Sequence, residues 1–226
     1  MKKLLLRVGS LIALLLSNVA LADEVGRVRL TLPQGEWVTV STNDSDLTYG
    51  GHGSGTIKAQ TTARALIDKE KNLLAILFIR ASSSAVSGAP MEFTSGCKTL
   101  NTEYVDDATT GSYTRLDCLR VWRAMNPTAW IKKNAVATNT ELDQRGIKSP
   151  MRGYQFSYQV GMPNGTFIAA SGIISYGPLA LIPDAKKDAK YAGMPGVAYG
   201  QAFAEAVRTS VRSLSGELTV PQIDYR

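Results

Sequence analysis

The chain has 226 residues, of which 44% are hydrophobic and 19% charged, and its formal net charge is +6. This composition is typical of a folded globular protein and excludes an intrinsically disordered chain. Lys2, Lys3 and Arg7 carry half of the net charge, and the remainder is too small to indicate binding to nucleic acid or to a membrane surface.

The first 22 residues have the pattern of a secretory signal peptide. A basic start precedes the apolar run Val8–Leu16, and Ala20-Leu21-Ala22 then gives the small-x-small pattern that a signal peptidase accepts. The apolar run is shorter than the about 20 residues that a membrane span requires. We therefore predict cleavage after Ala22 and a single globular domain over residues 23–226, periplasmic or secreted, with no transmembrane segment.

Two short strands and a polar loop are predicted at the start of this domain. Val28–Leu32 alternates apolar with polar residues, as a half-buried strand does, and Trp37–Val40 is a second short strand. The polar stretch Ser41–Ser45 and the glycine cluster Gly50–Gly55 predict an exposed loop after it.

Two antiparallel hairpins are the clearest elements. Thr56–Ile67 alternates and leads through a charged turn to Leu73–Ile79, an apolar run typical of a central strand buried on both faces. Gly153–Val160 and Thr166–Tyr176 flank a turn at residues 162–165. Within this second hairpin we interpret Gly172 as a candidate bulge, and three aromatic side chains on one face as core: Tyr154, Phe156 and Tyr158.

Two helices complete the pattern. Asn126-Pro127 is typical of a helix start, with Asn126 as the N-cap, and this helix is expected to extend toward Gln144. The last helix is predicted over Tyr199–Leu214, with an apolar stripe and four outward-facing polar residues: Gln201, Glu205, Arg208 and Arg212. Leu218–Ile223 follows as a short edge strand. Hairpins without a βαβ alternation predict an α+β fold, mainly an antiparallel sheet with the C-terminal helix packed on one face.

Cys97 and Cys118 are the only cysteines. An even count in an exported protein predicts a disulfide, and closing a loop of this length is worth roughly 3 kcal/mol in the chain-entropy model. No cofactor is indicated, and with a single histidine in the chain we predict no metal site.

Two segments are candidates for catalysis. The glycine-rich segment contains His52, which could act as a general base beside Ser54. Ser95 and Lys98 match the S-x-x-K nucleophile motif, but the companion S-D-N and K-T-G motifs are missing. A surface turn explains the first segment more simply, and a turn leading into the disulfide explains the second.

The stretch from Arg115 to Arg152 is rich in basic and aromatic residues. Such a mixture is typical of surfaces that bind anionic polymers, lipid head groups or acidic proteins. The residues we predict for a binding surface are Arg120, Trp122, Arg123, Trp130, Lys132 and Lys133. The simpler explanation is that Arg120 and Arg123 are wet strand positions and that the tryptophans belong to the core.

Three functional hypotheses remain open. The shortage of catalytic groups favours a non-enzymatic binding or accessory protein of the bacterial cell envelope, whose partner is another envelope protein or an anionic envelope component. A small hydrolase using His52, or Ser95 with Lys98, is the first alternative. An inhibitor or immunity-type protein is the second.

Overall fold

The computed structural model describes residues 23–49, 55–84, 92–93, 97, 102–109, 112, 114–124, 126–149, 152–179, 194–213, 215–223 and 225. The predicted signal peptide lies outside them. The elements within them are β1 (Asp23–Val25), β2 (Val28–Thr31), β3 (Glu36–Tyr49), β4 (Gly55–Ile67), β5 (Leu73–Ser82), β6 (Tyr104–Asp107), β7 (Leu116–Ala124), α1 (Pro127–Asn134), α2 (Val136–Gln144), β8 (Gly153–Gly161), β9 (Phe167–Ser175), α3 (Tyr176–Leu179), α4 (Pro195–Arg212) and β10 (Glu217–Thr219).

A seven-stranded antiparallel sheet forms the centre of the molecule. Its strand order is β3-β4-β5-β9-β8-β7-β6. A second sheet has the order β1-β2-β10, in which β2 pairs antiparallel with β1 and parallel with β10. The predicted α+β class is thus confirmed. None of the helices in the described ranges is long and apolar enough to cross a membrane.

Both predicted hairpins are confirmed, as β4–β5 and β8–β9. The predicted bulge at Gly172 is wrong, because the β8–β9 register is continuous and places Gly172 opposite Phe156. A Cβ atom at Gly172 would lie 2.6 Å from the Phe156 ring and 2.7 Å from Leu77. The glycine is therefore required by close packing and not by an irregular backbone.

The loop predicted over Ser41–Ser45 is also wrong, because β3 continues without interruption to Tyr49. Its far half pairs with β4 as far as Tyr49 and Gly55, whereas the pairing of β4 with β5 begins only at Ala59. Residues 46–49 and 55–58 project past β5, but one face of this part is still covered, because Ile57 is buried and Leu47 packs against an apolar cluster. Residues 41–45 pair with the part of β4 that also pairs with β5, and their polar, loop-like composition reflects the position of β3 at the edge of the sheet, where Thr42, Asn43 and Asp44 are exposed.

The helix that begins at Asn126 is confirmed at its start and shorter than expected. The Asn126 side chain accepts a hydrogen bond of 2.9 Å from the backbone N–H of Ala129. Ala135 has φ −140° and ψ 57°, which is not helical, and it divides the segment into α1 and α2. The break lets α2 turn toward the edge strand β3, where Thr138 and Ser41 share a hydrogen bond of 3.0 Å.

One face of the large sheet, here the α4 face, carries α4 and the three-stranded sheet. The predicted stripe on α4 is confirmed by Tyr199, Phe203 and Val207, which are all buried. The ring centroids of Phe203 and Phe156 are 4.8 Å apart. Two residues predicted to point outward do not: Gln201 donates to the Tyr104 hydroxyl, and Arg208 binds buried Asp117.

The other face of the large sheet, here the opposite face, is covered at its two ends. At one end α1 and α2 bury Ile131 and Leu142 against sheet residues that include Ile76 and Ile173. At the other end Cys118, Leu116 and Phe167 form a small apolar cluster with Phe93 and Cys97. The predicted disulfide between Cys97 and Cys118 is confirmed, with a Cα–Cα distance of 5.4 Å.

A polar groove on the opposite face

Between these two apolar ends, two rows of side chains cross the opposite face. Alternate residues of a strand share a face, so the strand register assigns each row. One row contains Val105, Arg120, Ser157, Ser171, Phe78, Ala63 and Ser41, and the next contains Asp107, Cys118, Gln159, Ala169, Arg80, Thr61 and Asn43. Asp107, at the β6 end, is the one acidic residue in these two rows, and it lies four strands away from Arg80. We call the strip formed by these two rows the polar groove.

The groove is concave because its central positions carry small side chains. Ser157, Ser171 and Ala169 occupy adjacent places on β8 and β9. The cavity above them has a volume of about 140 Å³ and is lined by Thr61, Phe78, Arg80, Ser157, Gln159, Ala169, Ala170 and Ser171.

Aromatic pairs lie along both sides of the groove. Trp130 of α1 packs edge-to-face on Phe78, with ring centroids 5.8 Å apart. Phe93 stacks on Phe167, with centroids 6.4 Å apart. The polar centre is therefore flanked by apolar walls, a layout common in sites for small molecules.

Arg80 is the cation at the centre of this site. It lies on β5, the third strand from the edge, and its side chain is half-buried. Its Nη2 donates to the Ser45 hydroxyl (3.0 Å) and to the carbonyl of Asp46 (3.2 Å). Among the described residues it forms no ion pair with a carboxylate, and its Nε is buried without a hydrogen-bond partner.

The structure brings together only part of the predicted binding surface. Arg120 and Trp122 lie on the opposite face, where Arg120 lies between Ser157 and Val105 in one row of the groove. Arg123 lies on the α4 face, 3.1 Å from Glu103. A hydrogen bond with Tyr154 and the charge of Glu103 raise the pKa of Arg123.

The residues predicted on α1 lie beside the groove. Trp130 is half-buried and forms the wall described above, whereas Lys132 and Lys133 are exposed in the last turn of the helix. Cations there interact favourably with the negative end of the helix dipole, so their position also has a structural explanation.

The candidate catalytic residues His52, Ser54, Ser95 and Lys98 lie outside the described residues. The structure therefore does not test the hydrolase hypothesis. Among the residues that are described, no group of three His, Cys, Asp or Glu side chains is placed to hold a metal ion.

A second polar cluster lies on the α4 face, around Asp117. This carboxylate is 1% exposed. It accepts hydrogen bonds from the Tyr158 hydroxyl (2.8 Å) and from Nε (3.1 Å) and Nη2 (3.0 Å) of Arg208. Arg208 also lies over the Tyr158 ring, 5.5 Å from its centroid. The network attaches α4 to the sheet, and we assign it a structural role because its acceptors are filled from within the chain.

Two tyrosines under α4 are held in their neutral form. Burial raises the pKa of Tyr158, and its hydrogen bond to the Asp117 carboxylate raises it further. Burial alone raises the pKa of Tyr199. Both hydroxyls therefore stay protonated at neutral pH, where each can donate a hydrogen bond.

A second cavity, of about 120 Å³, lies where the three-stranded sheet meets the end of α4. Several hydroxyls line it, and three of them form hydrogen bonds within the described chain. Ser210 donates to the carbonyl of Gly216, Ser213 donates to the carbonyl of Ser210, and Ser82 accepts from the backbone N–H of Phe167. This cavity is a packing junction, and the polar groove is the better candidate for a functional site.

Sequence analysis missed Arg80 and the small polar residues of the groove. Arg80 is the only charged residue of β5, and a charge in an otherwise apolar central strand was the available signal. The residues on β8 and β9 gave none, since serine and alanine on a strand are common. Comparison of the chain with protein-family models, with curated proteins and with solved structures finds no match.

Proposed function

We propose that the chain is an exported, non-enzymatic binding protein of the bacterial cell envelope that holds an anionic envelope component in the polar groove. The observation that carries this proposal is the position of Arg80 in the lining of the cavity, where it forms no ion pair with a carboxylate among the described residues. A guanidinium group such as that of Arg80 in a concave site attracts anions, and the effect is strongest where the surroundings exclude water.

Two further features support the export part of the proposal. The first 22 residues have the basic, apolar and small-x-small regions of a signal peptide. The disulfide between Cys97 and Cys118 is of the kind that persists in oxidising compartments such as the periplasm. Mass spectrometry of the protein recovered from a bacterial periplasmic fraction should give a chain that starts at Asp23, and a full-length chain in the cytosol would contradict export.

The binding part is tested by retention of envelope components. Immobilised protein spanning residues 23–226 is incubated with the low-molecular-mass fraction of a bacterial envelope extract, and the eluate is analysed by mass spectrometry. The Arg120→Glu variant should retain less anionic material than the wild type. The matched control is Arg212→Glu, which reverses an exposed charge on α4, away from the groove. Equal retention by the wild type and Arg120→Glu, or no retention at all, would contradict the proposal.

A further inference from the structure

We infer that the cavity at the centre of the polar groove binds one small oxyanion group, a carboxylate or a phosphate, with Arg80 as its anchor. The inference rests on the proposed function, because it names the chemical group by which an anionic ligand would be recognised. Its evidence is separate and consists of hydrogen-bonding capacity that the described chain does not use.

Four polar side chains line the cavity beside Arg80 and have no partner within the described residues. Thr61, Ser157, Gln159 and Ser171 make no side-chain hydrogen bond to any of them. None of their polar atoms is a fully buried atom without a partner, so all four are accessible from the cavity. Three hydroxyls and one amide can each donate to an oxygen of a bound anion.

The guanidinium of Arg80 adds a directed positive charge to these donors. The Ser45 hydroxyl and the Asp46 carbonyl hold its Nη2, so its orientation is fixed before a ligand arrives. Fixed donors lower the entropic cost of binding. Guanidinium groups match the geometry of carboxylate and phosphate oxygens in particular.

The volume of the cavity limits what it can hold. About 140 Å³ is the space of roughly four or five water molecules, at about 30 Å³ each. Sites for whole drug-sized ligands usually measure about 300–1,000 Å³. The cavity therefore fits a single terminal group, and the rest of the ligand would extend along the groove toward the Trp130 and Phe78 wall.

The test uses sodium acetate and inorganic phosphate as separate probes, titrated into the protein spanning residues 23–226 at constant ionic strength with sodium chloride. Amide chemical shifts are followed by NMR. We expect saturable shifts at Thr61, Ser157 and Ser171 with at least one probe, and none with chloride alone. A response to acetate alone identifies a carboxylate group, and a response to phosphate alone identifies a phosphate group.

Arg80→Gln should weaken the binding of the responding probe by roughly 10- to 100-fold, because it removes charged hydrogen bonds. Arg212→Gln, on α4, should leave the binding unchanged. Since Arg80→Gln could also disturb β5, Ser157→Val provides a second variant that fills the cavity and keeps the arginine. It should weaken binding as well, while the circular dichroism spectrum stays that of the wild type.

Two results would overturn the inference. One is the absence of saturable shifts with either probe, and the other is an unchanged affinity in both Arg80→Gln and Ser157→Val. If the wild type retains an envelope component that both variants retain equally, this inference fails and the proposed function stands. If the probes bind as expected and no envelope component is retained, the proposed function fails and the oxyanion site stands.

Discussion

The buried pair of Asp117 and Arg208 should be one of the most sensitive points of the fold. Removing the cation by Arg208→Met deletes three contacts to the carboxylate, at 3.0, 3.1 and 3.2 Å. Asp117 is 1% exposed and would keep only the Tyr158 hydroxyl and a more distant Arg115 Nη2 at 3.5 Å. Breaking a buried ion pair from one side costs about 3–5 kcal/mol, so we expect a loss of that size.

A double-mutant cycle measures the interaction energy between Asp117 and Arg208. Asp117→Leu alone leaves Arg208 near Asp106 and Glu205, and it leaves the Tyr158 hydroxyl without its acceptor. In the double variant no buried carboxylate remains. The double variant should therefore be less destabilised than the sum of the single variants, by about 1.5–3 kcal/mol.

The free energy of unfolding is measured by urea denaturation at pH 7. With a slope of about 2 kcal/mol/M, a loss of 3 kcal/mol lowers the urea midpoint by about 1.5 M. The matched control is Arg212→Met, an exposed change on the same helix, which should cost less than about 0.5 kcal/mol. Strictly additive single and double variants, or an Arg208→Met variant as stable as Arg212→Met, would refute the reasoning.

Three further outcomes are expected. Gly172→Ala should lower the free energy of unfolding by about 1–3 kcal/mol, because its Cβ would lie 2.6 Å from the Phe156 ring. The Cβ of the control variant Gly177→Ala meets no atom within 4 Å, so this variant should be nearly neutral, and equal urea midpoints for the two variants would contradict the prediction. The side-chain hydrogen bond from Asn72 lowers the pKa of Asp68, so NMR titration should give a pKa below 3.8. The stability that this bond contributes is present at neutral pH and is lost as the pH falls through that pKa, and a pKa above 3.8 would contradict the prediction. Tyr158 and Tyr199 should stay un-ionised until the protein unfolds, so the free energy of unfolding declines as the pH rises above about 10. Ultraviolet titration that shows all nine tyrosines ionising in the folded state would disprove this prediction.

The elements predicted correctly are those whose apolar pattern reflects burial, including the continuous apolar run of β5. The alternation of β8 and the helical spacing of Tyr199, Phe203 and Val207 record burial directly in the sequence. Residues 41–45 of β3 record no such burial because β3 is an edge strand, and Thr42, Asn43 and Asp44 are exposed. The amino-acid composition of this segment of β3 therefore resembles that of a loop. Arg208 was misplaced for a related reason, since its partner Asp117 comes from a strand 91 positions earlier.

The candidate site was harder to predict than the fold. Arg120 and Arg123 are near neighbours in sequence, yet strand alternation sends them to different faces. The groove instead joins residues of β4, β5, β8 and β9, and the register that aligns Arg80 with Thr61 and Ala169 is set by long-range pairing. Local sequence patterns contain no information about such a register.

The parallel pairing of β2 with β10 has a consequence for how the chain acquires its structure. The Thr31 hydroxyl donates to Glu217, 186 positions further along the chain. During ribosomal synthesis β2 cannot meet this partner until nearly every other described element has been made. The three-stranded sheet therefore forms late in folding, and long-range pairing of this kind slows folding. Proteolysis of arrested nascent chains should find the segment around β2 susceptible to cleavage until residue 219 has left the ribosome.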